Sequence, residues 1–206
     1  MQSKLVLGTT GAVGVVGISG ATYVVLKKDA PRSTLRELFD GSKGRVLLDA
    51  FGDQHDKVWE QLAKEYKDSR TGKAEISEDY VSKTVPTKES LKRYCLEASS
   101  RTDVKELESY FEWCSRNSMK TQFNSSSGSK KWNESRQVSD WAESKTTYDK
   151  ESGDDLLIPT GSGSETISKT QSKAEDFMKW CSKQENIPYV NNDDSTYKKA
   201  EKLCLK

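Results

Sequence analysis

The stretch Thr87–Cys114, TKESLKRYCLEASSRTDVKELESYFEWC, decides how this chain reads. Thr87 is a capping residue, and behind it Leu91, Tyr94, Cys95 and Ala98 fall at the three- and four-residue spacing of one helix face. Asp103-Val104-Lys105-Glu106 resembles a capping box, and it opens a second helix carrying Val104, Leu107, Phe111 and Cys114. Only the turn near Ser99–Thr102 separates them, so the two helices return as antiparallel neighbours with their apolar faces together. Upstream, Asp53 heads a further helix with His55, Val58, Trp59, Leu62, Ala63 and Tyr66 on one side.

The same pattern recurs downstream. Trp59 precedes Tyr66 by seven residues, and Trp141 precedes Tyr148 by seven. Leu91 and Cys95 are matched by Phe177 and Cys181, four residues apart in each case. Leu107 lies seven before Cys114, as Tyr197 does before Cys204. Ser172-Lys173-Ala174-Glu175 supplies another capping box, leading into Ala174, Phe177, Met178 and Cys181. The offsets between copies are 82, 86 and 90, the drift expected when loops vary and helices persist. These matches predict two copies of a three-helix unit whose cores use Trp59, Tyr66, Leu91 and Leu107, then Trp141, Tyr148, Phe177 and Tyr197. Chance matching among amphipathic helices is the competing reading.

Further toward the amino terminus, Leu5 to Leu26 is a run of 22 residues without a charge, bounded by Lys4 and by Lys27-Lys28. Roughly 20 helical residues cross a hydrocarbon core, so the run predicts a single-pass helix that meets the lipid bilayer through residues 5–26. A cleaved signal peptide ending near Ser19-Gly20-Ala21 is a competitor. So is the TGxxGxxG-like run at residues 10–17, which would suit a nucleotide-dependent oxidoreductase, although no crossover helix or later strands follow it. The expected organisation is a membrane anchor at 1–28, a first helical unit at 29–117, a polar linker at 118–131 and a second unit at 132–206. The fold class is all-α.

Composition narrows the function. The 33 Lys plus Arg residues balance 32 Asp plus Glu, which argues against a nucleic-acid binder working through bulk charge. In residues 27–206, Leu, Val, Ile and Phe make up 28 of 180 positions, too few for a large enzyme core. His55 is the one histidine, forty residues from the nearest cysteine, and reads as a packing or surface residue. No CxxC pair occurs, so no metal and no cofactor are expected, and no motif of nucleophilic catalysis is present. Trp59, Trp113, Trp141 and Trp180 belong to apolar faces and read as core. Asn124 and Asn133 begin glycosylation sequons that matter only in a eukaryotic secretory pathway. Four cysteines allow three pairings. The repeat favours Cys95 with Cys114 and Cys181 with Cys204, and four free buried thiols are the alternative.

The Gly-rich apolar N-terminal segment ending in lysines, the Trp…Tyr helix and the repeated aromatic-Cys helix ends resemble the lineage-expanded membrane and surface protein families of haemotropic mycoplasmas. The resemblance departs at Lys202-Leu203-Cys204, where the first unit has Glu112-Trp113-Cys114. It implies a surface-exposed protein with an interaction or antigenic role, and a host or surface protein as partner. The function expected is thus a membrane-anchored, non-enzymatic helical repeat protein in the cell membrane, its C-terminal part outside. Lys27, Lys28, Arg32 and Arg36 favour the opposite orientation, a cytoplasmic-facing scaffold.

Overall fold

The computed structural model describes residues 17–18, 21–22, 33–68, 74–126, 128–151, 154–160, 163 and 165–206. The chain divides into two bodies, residues 1–33 and 34–206. In the first, β1 (Gly17–Ile18) and β2 (Ala21–Thr22) pair antiparallel, Gly17 opposite Thr22 and Ile18 opposite Ala21. A continuous helix over 5–26 is incompatible with these extended residues. Among the described residues no helix is long and apolar enough to cross a membrane. The single-pass anchor and the cell-membrane placement built on it are therefore corrected. The physical reason is that apolarity is not helix propensity. Interior glycine costs about 1 kcal/mol relative to alanine, β-branched residues lose rotamer freedom, and this run is rich in both. The remainder of 5–26, with nearly all of the TGxxGxxG-like run, lies outside the described residues.

The second body is helical with a small sheet. Its order is β3 (Arg45–Leu47), α1 (Asp56–Asp68), α2 (Lys88–Ser99), α3 (Leu107–Cys114), β4 (Ser115–Asn117), α4 (Met119–Ser125), α5 (Ala142–Lys150), α6 (Ala174–Gln184) and α7 (Ser195–Leu203). The all-α expectation fails at β3 and β4, which pair antiparallel with Arg45, Val46 and Leu47 opposite Asn117, Arg116 and Ser115. Three-residue strands are too short to print a period of two, and their partners lie some seventy residues apart, so no local pattern announces them.

Local chemistry sets the helix starts. The Thr87 hydroxyl accepts from Ser90 N–H and the Ser90 hydroxyl accepts from Thr87 N–H, closing a capping box at α2. Asp103 caps a 3-10 turn, Val104–Glu106, that runs into α3. Asp194 accepts from the N–H groups of Thr196 and Tyr197 to start α7. At α6 the expected Ser172–Glu175 box is replaced by a cap one residue later: Asp176 accepts from Lys173 N–H, while the Ser172 hydroxyl donates to Asp149 and to the Lys169 carbonyl. Val104, expected on an apolar face, is exposed, and so is Val138, because both lie in 3-10 turns whose three-residue pitch shifts the phase of the face.

Two hydrophobic clusters hold the body together. The first gathers Trp59, Leu62, Tyr66, Leu91, Tyr94 and Trp113, with Leu107 packed against it. The second gathers Trp132, Trp141, Tyr148, Phe177, Trp180 and Tyr197. Each cluster carries a disulfide, Cys95–Cys114 in the first and Cys181–Cys204 in the second, the partners that the repeat favours. The correspondence extends to polar atoms. Trp59 and Trp141 donate their indole N–H to the carbonyls of Asp49 and Ser135, and the Tyr66 and Tyr148 hydroxyls donate to those of Ile76 and Ile167. In both units the carbonyl of the last cysteine accepts a backbone N–H from the segment ahead of the Trp helix, Leu48 for Cys114 and Asn133 for Cys204. The repeated unit is therefore three helices closed by an antiparallel main-chain clasp.

The stretch 118–131, expected as a polar linker, carries α4 and lends Met119 and Phe123 to the second cluster, Phe123 stacking on Tyr197 at 4.5 Å. Gly44 makes the entry to β3 possible. Its φ is 72°, its carbonyl accepts from Ser118 N–H at 2.8 Å, and a Cβ there would lie 1.9 Å from the Thr121 hydroxyl.

Candidate functional site

Where α3 ends, β4 carries Arg116 and Asn117 out of the first cluster, and its pairing with β3 sets Arg45 opposite Asn117. Arg116 is 13% exposed and forks onto Glu65 of α1 at 2.8 and 2.6 Å. Its Nε and Nη2 also donate to the carbonyls of Tyr189 and Val190, and its guanidinium lies over the Tyr189 ring. Asn191 donates to Gln61 of α1 at 2.9 Å. These bonds lace the α6–α7 loop to the first unit.

Arg45 is held differently. Its Nε donates to the Ser115 hydroxyl at 2.8 Å and its Nη2 donates to the carbonyls of Phe111 and Ser115. Its Nη1 reaches the Asn117 side-chain oxygen only at 3.5 Å, the outer limit of a hydrogen bond. The guanidinium rests over the Phe111 ring at 4.7 Å. Burial, with the like charge of Arg116 second, pushes the Arg45 pKa down to about 10, so the group remains a cation at neutral pH. Glu112 opposes that shift, and its carboxylate accepts from Ala74 N–H at 2.6 Å. Arg45, Glu112, Arg116, Asn117, Gln122 and Tyr189 line a recess of about 140 Å³.

His55 lies at the head of α1, where its Nδ1 accepts from Asp49 N–H at 2.8 Å. That bond requires the neutral ring, and burial lowers its pKa, in line with the packing role read from the sequence. Beside it, Asp56 accepts from both Lys88 and Lys92 and is held below the usual carboxylate range by them, a clamp between α1 and α2. Among the described residues no group of three His, Cys, Asp or Glu side chains could hold a metal ion. The sequon residue Asn133 is buried, donating to the Asp140 carbonyl and accepting from Ser135 N–H.

The predicted site residues Cys95, Cys114, Cys181 and Cys204 form the two bonds already described, and the predicted core residues pack in their respective clusters. Arg45, Glu65, Arg116 and Tyr189 were not singled out by sequence. In a chain this charge-rich they carry no local signal, and Ser115-Arg116-Asn117 falls in a polar tract. No family model, curated protein or solved structure matches the chain.

Proposed function

We propose that the chain is a non-enzymatic interaction protein that works in an oxidising compartment, with a recognition or antigenic role served by the loops of two disulfide-stapled units. The observation that carries this reading is the pair of disulfides at equivalent places in the two clusters. Such bonds persist outside reducing compartments and stiffen small units poor in aliphatic core. A second feature suits display. Phe51 is 85% exposed on a loop pinned by the Asp49 carboxylate, which accepts from the N–H groups of Phe51 and Gly52, and by Lys92, which donates to the Gly52 carbonyl. A rigidly presented aromatic is the kind of residue on which protein recognition concentrates.

The test uses protein from its native source. Peptide mapping without reductant is expected to return both disulfides and no alkylatable thiol. Cross-linking and mass spectrometry on the same material are expected to place inter-protein adducts on the 49–55 loop. Four alkylatable thiols, or cross-links confined to the chain itself, would refute the proposal.

A further inference from the structure

We propose that the recess lined by Arg45, Arg116 and Gln122 is a binding site for a single carboxylate group. Donors left over by the protein's own bonds belong to three of the residues that line it. Of the five N–H groups of Arg45, three are taken by Ser115 and Phe111, and the two on Nη1 meet only the distant Asn117 oxygen. Arg116 has one Nη1 hydrogen left once Glu65, Tyr189 and Val190 are served. Gln122 accepts from Asn117 at its side-chain oxygen, which leaves its amide NH₂ as a donor without a protein acceptor. No buried side-chain polar atom among the described residues lacks a partner, so the Gln122 amide nitrogen, which donates to no protein group, is solvent-reached rather than sealed.

Charge then selects the ligand. Arg116 is neutralised by Glu65, whereas every bond that Arg45 makes goes to a neutral acceptor. A part-buried guanidinium satisfied by neutral oxygens is left with a favourable partner missing, and a planar carboxylate matches its fork. Glu112 on the same wall disfavours a doubly charged anion, so phosphate fits less well than a monoanion. The volume admits a carboxylate with a short aliphatic stem, such as propionate or the side chain of Glu. The inference does not rest on the interaction reading, and thiol mapping that refuted the latter would leave it standing.

The full chain, uniformly ¹⁵N-labelled, is titrated with propionate, propionamide and inorganic phosphate, and with two peptides carrying one carboxylate each. One peptide has a Glu side chain between blocked termini, the other a free C-terminus. Propionate is expected to move the Gln122 side-chain amide and Arg45 Nε–H resonances saturably, with Kd on the order of 1 mM and no response to propionamide. Gln122→Leu, which leaves both arginines in place, is expected to weaken binding about tenfold, the loss of one charge-assisted hydrogen bond. Arg45→Lys is expected to abolish it. The peptide that competes with propionate identifies the source of the carboxylate. Equal shifts with propionamide, tighter binding of phosphate, absence of saturable shifts, or unchanged affinity in folded Gln122→Leu would each overturn the proposal.

Discussion

Replacing Cys95 and Cys114 together by alanine tests what holds the first unit. The bond closes a separation of 19 residues, for which the chain-entropy relation gives about 3 kcal/mol at 25 °C. Both cysteines are almost wholly buried, at 4% and 1% exposure, so losing the sulfurs also leaves unfilled core, worth about 1 kcal/mol. The sum is about 4 kcal/mol, a large share of the stability of a protein this size. With a urea slope of about 2 kcal/mol per M, the unfolding midpoint of the full chain is expected to fall by about 2 M. Cys181→Ala with Cys204→Ala, spanning 23 residues, is expected to give a closely similar loss. Urea melts followed by Trp fluorescence read both, because each cluster contains tryptophans. A midpoint shift below about 0.5 M for either pair would refute the reasoning, since the loop-closure contribution alone exceeds it.

Glu65→Gln strips the fork from Arg116 and leaves a largely buried guanidinium on neutral acceptors, which is expected to cost about 2 kcal/mol in the same urea melt. Gly44→Ala demands a left-handed backbone and drives a Cβ into Thr121, so a loss of at least about 2 kcal/mol is expected, with partial recovery in Gly44→Ala/Thr121→Ala. His55 is depressed in the folded chain, so the unfolded state takes up its proton first as the solution is acidified. Its contribution is therefore fully present above the unfolded pKa of about 6.5 and declines as pH falls below it toward the depressed folded value. Melts across that window should slope less in His55→Gln, and an NMR titration of the ring should give a midpoint below that of an unfolded peptide.

Some of this protein could be read in its residues alone, and the reason is range. Helix caps and helix faces are written within a dozen positions, so Thr87, Leu91 and Cys95, or Trp141 and Tyr148, announce themselves by spacing. The repeat carries the same logic to the disulfides, because two helices joined by a short turn leave their facing cysteines few choices. The features that only the tertiary structure decided are those made by distant partners. The β3–β4 pairing joins residues some seventy apart, and Met119 and Phe123 of a polar tract become core because the second cluster covers them. At residues 17–18 and 21–22 hydrophobicity marked an apolar run but not its backbone, for glycine and β-branched residues leave a chain free to pair as strands. The recess is the extreme case. Arg45 and Arg116 are two cations among 33, and only the bonds that bury one against neutral oxygens and the other against Glu65 set them apart.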